Sequence, residues 1–417
     1  MKPPMGWNSW NCYGASVNEE QLMGNAEYMA KHLKQYGWDY IVCDIQWSEP
    51  NAYSTAYNNF TELEMDEYSR LIPAVKRFPS AANGAGFKPI ADKIHALGLK
   101  FGIHIMRGIP RQAVHRNTPI KGTDRTARQI ASQFSVCPWN TDMYGIDCSE
   151  EGAQEYYNSI FELYASWDVD FIKVDDICNT EFNKANPYSA AAEIEAIRKA
   201  IDNCGRDMVL SLSPGPASLD KVDHMSENAN MWRMTGDFWD EWDKLLSMFE
   251  RCSKWYPHVK EGCWPDCDML PLGKIALYDD GGRPTRFTKP EQVTVMTLWS
   301  VFRSPLIFGG ELTANDDWTL SLITNKEVID VNQNSHSAHP VLDGDEIKVW
   351  TCTSEKETCI AAVFNVSDEV KEYSLPLELF EMKSAKVHNL WTKDDLEADG
   401  SISLVIEPHG AVMLELS

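Results

Sequence analysis

Phe171-Ile-Lys-Val-Asp-Asp176 is a short apolar run that ends in acid, and Met231-Trp-Arg-Met-Thr-Gly-Asp237 repeats the design further along the chain. In a parallel β/α chain such a run is a buried strand that delivers a carboxylate to the carboxyl end of the sheet. A strand-end Asp often does no more than cap the helix that follows. Two of them, each with a cation on its own strand (Lys173 and Arg233), match the carboxylate pair that glycoside hydrolysis requires.

Outward from these segments, apolar runs alternate with longer amphipathic ones from residue 5 to about residue 310. Strand patterns begin near Met5, Tyr40, Lys100, Val169, Met208 and Met231, and again over 268–272 and 305–308. Helical periodicity lies between them, as in 19–34, 152–167 and 288–302. This alternation predicts a (β/α)8 TIM barrel over 1–327. No G-x-G-x-x-G or P-loop follows any strand, which argues against a dinucleotide-binding sheet. The polar stretch 330–339 reads as a linker. After it come short alternating strands with no helical period, predicting a C-terminal antiparallel β-sandwich over 328–417.

The formal charge of −24 on 417 residues disfavours nucleic acid and anionic membranes as partners. No apolar run is long enough to span a bilayer. A neutral small-molecule or oligosaccharide substrate fits this surface, and a homo-oligomer is compatible with it. The 11 cysteines are odd in number and lie mostly within apolar runs, which suits a reducing compartment. The start, Met1-Lys-Pro-Pro-Met-Gly-Trp7, shows no leader, so the expectation is a cytoplasmic protein, although a processed secretory chain with a restored Met would read the same. Cys263-Trp-Pro-Asp-Cys267 lacks the second ligand pair of a zinc site. Neither a metal nor an organic cofactor is expected.

Barrel enzymes work at the carboxyl ends of their strands. In chain order those ends offer Trp7, Trp10, Asp44, Trp47, His104, Arg107, Lys173, Asp175, Ser213, Arg233, Asp237, Asp266 and Asp268. Indole faces pack on the C–H face of a pyranose while charged groups bond its hydroxyls. The alternative for Trp7, Trp10 and Trp47 is plain core packing. Asp266 reads as a supporting loop residue. Asp176 should point to the opposite strand face, and Asp240 should open the helix that follows.

Pro3-Pro-Met-Gly-Trp-Asn-Ser-Trp10, Lys173-Val-Asp175, Trp232-Arg-Met-Thr-Gly-Asp237 and Trp264-Pro-Asp-Cys-Asp-Met-Leu270, in this order, resemble glycoside hydrolase family 27. That family holds α-galactosidases, α-N-acetylgalactosaminidases and β-L-arabinopyranosidases. The resemblance implies a retaining mechanism with Asp175 as nucleophile and Asp237 as acid/base. It further implies that Asp44 binds the 4- or 6-hydroxyl, Lys173 the 3- and 4-hydroxyls and Arg233 the 2-hydroxyl, with Asp268 facing the sugar. The residues agree with those roles. Lys173, two positions before Asp175 on the same strand face, favours the ionised nucleophile.

Two departures from the family pattern narrow the substrate. Where α-galactosidases carry Asp-Asp, this chain reads Asp44-Ile45. Burying a primary hydroxyl against Ile45 without a partner costs roughly 1–3 kcal/mol. β-L-Arabinopyranose has the ring stereochemistry of α-D-galactopyranose but lacks the hydroxymethyl group. The expectation is therefore a preference for β-L-arabinopyranosides with weaker α-galactosidase activity. Ser213 stands where α-galactosidases usually place a glutamate, which keeps an α-N-acetylgalactosaminidase reading open. His104 and Arg107 replace the usual Tyr-x-Asp-x-Gly, and His104 either bonds the nucleophile or fills the barrel mouth. A carbohydrate-binding barrel without turnover is the remaining alternative, disfavoured by the presence of both carboxylates.

Overall fold

The computed structural model describes residues 1–417. Eight short strands run parallel: β1 (Met5–Asn8), β2 (Tyr40–Cys43), β3 (Lys100–Met106), β4 (Phe171–Asp175), β5 (Val209–Leu212), β6 (Met231–Arg233), β7 (Trp264–Asp266) and β8 (Leu306–Phe308). Strands β1 to β7 pair successively in chain order, and β8 returns to lie beside β1. The last seam, between β7 and β8, closes where the Leu270 amide donates to the Ile307 carbonyl at 2.8 Å. The barrel expected from the alternating pattern is the fold this chain adopts. The seventh strand differs from expectation: it spans Trp264–Asp266 rather than 268–272, because the backbone turns at Asp268 with φ +80°. Only Leu270, beyond that turn, bridges to β8.

Apolar side chains at helical spacing supply the outer layer: α1 (Glu19–His32), α2 (Lys88–Ala96), α3 (Ala153–Ser166), α4 (Ala191–Asn203), α5 (Val222–Asn228), α6 (Trp242–Trp255), α7 (Lys289–Phe302) and α8 (Lys326–Asn334). Local chemistry fixes several starts. Asn18 and Gln21 form a capping box at α1, as do Thr288 and Glu291 at α7, so two otherwise orphaned amides are satisfied at each. Two long connections lie over the barrel mouth: 44–87 after β2 is mostly irregular, whereas 107–152 after β3 carries a small three-stranded antiparallel sheet and two short helices.

The stretch read as a linker is ordered. Residues 326–334 are α8, and His336–Asp343 is β9, the edge strand of the C-terminal sheet. Alternating polar side chains at this edge disguised the strand. The sheet continues antiparallel through β10 (Ile347–Thr353), β11 (Cys359–Asn365), β12 (Lys371–Pro376), β13 (Ser384–Asn389), β14 (Asp395–Asp399), β15 (Ser401–Ile406) and β16 (Ala411–Leu416), in spatial order β9-β10-β11-β16-β13-β14-β15-β12. One face covers its own small core around Val363, Leu375 and Leu414. The other, through Trp350, Phe364 and Met413, is continuous with the barrel's hydrophobic core. His409 stacks on Trp242 with ring centroids 3.6 Å apart, and its Nδ1 lies 2.8 Å from Glu291 Oε1.

No helix is long and apolar enough to cross a membrane. All 11 cysteines carry free thiols. Cys263 and Cys267 do not converge: the Cys263 thiol donates to the Ser226 carbonyl, while Cys267 Sγ faces Cys252 Sγ at 3.8 Å.

Candidate active site

Strand alternation decides which side chains reach the barrel mouth. On β1, Asn8 points inward and donates to Asp44 Oδ2 at 2.7 Å. Its neighbour Trp7 therefore points outward, where the indole donates to the Gly310 carbonyl at 2.8 Å and is fully buried. On β4, Lys173 and Asp175 face inward. Asp176 turns away at φ +55° and pairs with Arg107 at 2.8 Å.

A cavity of about 580 Å³ opens at the carboxyl ends of the strands. Asp44, Ile45, Lys173, Asp175, Arg233, Asp237 and Asp268, gathered from four strand ends, all line it. Four other expected contacts are not on its wall. Trp7 belongs to the helix-facing layer. Trp47 is also buried, its indole donating to the His104 carbonyl at 2.6 Å and its rings packed edge-on to Phe87 and Trp167. Both tryptophans are core, as their alternative reading held. His104 and Ser213 lie just behind the wall and act on it through Asp175.

Asp175 Oδ2 is 3.0 Å from His104 Nε2, and Oδ1 accepts the Asp176 amide at 3.1 Å. Burial pushes this carboxyl up, but the His104 bond and charge, Lys173 and the Ser213 hydroxyl outweigh it and hold Asp175 well below the usual carboxylate range. Burial likewise opposes ionisation of Asp44, and the Lys173 and His104 charges with the Asn8 amide bring it below its ordinary value. Lys173 Nζ donates to Asp44 Oδ2 at 2.9 Å. Burial alone would lower the Lys173 ammonium, yet Asp44 and Asp175 hold it above its usual value.

Asp237 differs. Its side chain is 63 % exposed. Arg233 Nη2 donates to Asp237 Oδ1 at 3.0 Å and pairs with Asp268 Oδ2 at 2.8 Å. Asp268 also accepts the Phe238 amide at 2.8 Å, so one guanidinium and one carboxylate fix the loop that carries Asp237. Behind them, burial and the Asp268 charge push the Asp266 carboxyl up to about 7. Asp240 does not open a helix, since α6 begins at Trp242 with Glu241 as its N-cap. Instead Asp240 is buried and binds Arg283 together with the Arg286 amide.

Sequence reasoning missed Asn8, Tyr57 and Trp139. Asn8 stands within a quoted motif, and its inward register was the available signal. Tyr57 and Trp139 lie in irregular loops with no period to mark them. Together with Trp10 they pack against an apolar patch made by Ile45, Met106, Cys137 and Met143.

A family model described as "Alpha galactosidase A" matches residues 113–334. Glycoside hydrolase family 27, the α-galactosidase family, contains this chain. A second model, the "Alpha galactosidase C-terminal beta sandwich domain", matches 344–416. Within the family, a β-L-arabinopyranosidase from Geobacillus stearothermophilus, solved in complex with arabinose, is 56% identical with a TM-score of 0.97, covering 100% of this chain and 97% of that one. A Bacillus halodurans protein assigned provisionally as an α-N-acetylgalactosaminidase is 51% identical with a TM-score of 0.90, again covering 100% and 97%. Alpha-galactosidase 2 of Arabidopsis thaliana is 25% identical over 426 residues, covering 100% of this chain and 90% of its own. As a member of this family the protein is a glycosidase.

Proposed function

We propose that the protein is a retaining exo-glycosidase that prefers terminal β-L-arabinopyranosides and hydrolyses α-D-galactopyranosides more slowly. Asp175 attacks the anomeric carbon while Asp237 hands its proton to the leaving oxygen, forming a glycosyl ester on Asp175. Asp237 then takes a proton from water, whose oxygen attacks the anomeric carbon and releases Asp175, so the anomeric configuration is restored. Asp175 is suited to attack because its neighbours keep it ionised, and Asp237 because its exposed carboxyl can meet both leaving group and water. Lys173, Arg233, Asp44 and Asp268 are the groups for the ring hydroxyls, with no metal or cofactor required.

The observation that carries the substrate preference is Ile45. It lines the cavity next to the buried Asp44 and belongs to an apolar patch rather than to a polar subsite. A primary hydroxyl pressed there loses its water without gaining a partner. The 56% identity to an arabinopyranosidase supports the same reading. One feature favours a second reading: beyond Ser213 the wall is Pro214, Gly215 and Pro216, with no carboxylate, which leaves room for an acetamido group.

Rates on the p-nitrophenyl β-L-arabinopyranoside, α-D-galactopyranoside and α-N-acetylgalactosaminide decide among the three. The arabinoside is expected to have the highest kcat/KM, and a clearly higher value for either of the others overturns the preference. Proton NMR of the first-formed sugar tests retention, and an inverted anomer defeats the assigned roles.

A further inference from the structure

The connection 44–87 holds a compact loop built around one buried acid. Glu49 is fully buried, and its carboxylate accepts the Asn51 amide at 2.7 Å, the Asn58 side-chain amide at 2.9 Å and the Thr61 hydroxyl at 3.1 Å. These partners lie on both flanks of Tyr57, so one side chain draws the loop into a closed turn. Arg77 secures the base by donating to the Gln46 and Glu49 carbonyls at 2.7 and 2.9 Å. The tip is tied down where the Ala15 amide donates to the Ser54 carbonyl at 2.8 Å. Such a scaffold is costly to assemble unless the residue it presents has a task.

That residue is Tyr57, which lines the cavity. Its ring lies between Trp10, stacked with centroids 6.4 Å apart, and Trp139, at 6.0 Å. All three rings pack on the patch that contains Ile45. Burial and the charges of Asp175, Asp44 and Asp237 push the phenol well above its usual value, so it stays a donor at any working pH. Nothing in the protein hydrogen-bonds that hydroxyl.

We propose that Tyr57 is a specificity-determining residue of the sugar pocket, and that Glu49 is the residue that positions it. The Tyr57 ring completes the apolar wall that Ile45 begins, fitting a pyranose with no substituent on C5, and its hydroxyl donates to an oxygen of the bound sugar. This deepens, and rests on, the pentopyranoside reading above.

The test uses the full chain as wild type, Y57F, Y57A, E49A and E49Q, with kcat and KM measured on the aryl β-L-arabinopyranoside and α-D-galactopyranoside. Y57F removes one hydrogen bond and is expected to lower kcat/KM on the arabinoside about three- to tenfold. Y57A opens the wall. It is expected to lower arabinoside kcat/KM by about ten- to a hundredfold and to raise the galactoside-to-arabinoside ratio at least about fivefold. E49A should move the ratio in the same direction, and E49Q, which keeps the shape and part of the bonding, should sit nearer wild type. A Y57A ratio within about twofold of wild type, with Y57F unchanged, overturns the proposal. A wild type faster on the galactoside sinks the pentose reading alone, and Tyr57 then stands or falls by its losses on that substrate. Should the wild type hydrolyse neither, calorimetric binding of free L-arabinose reads the contact directly. Equal affinity of wild type and Y57A, or no binding by either, overturns it.

Discussion

His104 Nε2 stands 3.0 Å from Asp175 Oδ2, on an imidazole that is 1 % exposed. A hydrogen bond in so dry a place acts at nearly full strength on the carboxylate it touches. Its proton donor comes from β3, a different strand from the one that carries Asp175, so the register of β3 against β4 (His104 beside Lys173) sets the contact.

The first prediction concerns pH. The proposed attack requires an ionised Asp175, so activity is expected to fall as pH drops through its titration, which His104 holds low. His104→Phe removes that support, and the acid limb of kcat/KM is expected to move up by about one pH unit. The basic limb should stay in place. An acid limb that does not move would show that His104 only fills space.

Ile45→Asp restores the second acid of the α-galactosidase pattern. The galactoside-to-arabinoside ratio of kcat/KM should rise about ten- to a hundredfold, because the primary hydroxyl regains a partner. The same pair of aryl glycosides measures it, and an unchanged ratio would place the discrimination elsewhere.

Asp237 and Asp240 lie close in sequence but have different duties. Asp240→Ala frees Arg283 and the Arg286 amide, and is expected to cost about 1–3 kcal/mol of stability. Its kcat should change far less than that of Asp237→Ala, for which a loss of at least about a thousandfold is expected if it serves as acid/base. Thermal unfolding and steady-state rates on the two variants give both readings, and a reversed order of the kcat losses would reassign the proton-transfer role.

Stability should itself depend on pH. Burial raises Asp266 and Asp176 to about 7 in the folded chain, above an ordinary value of about 4. Each binds its proton more tightly folded than unfolded, so its contribution is complete below about pH 4 and fades as pH rises toward 7. Asp175 and Asp44 are depressed and work the other way, losing their contribution as pH falls below the ordinary carboxylate range. Thermal midpoints should therefore be higher in mildly acidic than in mildly alkaline buffer. Asp266→Asn should flatten that slope, and a slope left intact would mean Asp266 is already ionised at neutral pH.

Periodicity made the barrel legible, because strands buried on both faces read as unbroken apolar runs and their helices repeat at helical spacing. The residues Lys173, Asp175, Arg233 and Asp237 could be placed at its mouth because each strand is short and ends at a fixed point. Trp7 and Trp47 could not be placed, since a one-residue shift in register exchanges the cavity for the helical layer. The seventh strand was misplaced for a related reason: the left-handed turn at Asp268 separates the pairing with β6 from the contact with β8. Tyr57 was illegible because its position depends on what Glu49 gathers around itself, and a loop shaped by one polar hub leaves no repeat in the sequence. The edge strand His336–Asp343 was hidden by its polar face.

The stacking of His409 on Trp242 ties the C-terminal sheet to the first turn of the helix that follows the Asp237 loop. The sheet therefore works as a buttress rather than an appendage. A chain cut after Asn334 would leave the Phe249 ring bare where Phe364 covers it, and would free the α6 start to fray. Loss of the last strand, Ala411–Leu416, should already be felt some way off, as slackness in the segment that carries Asp237.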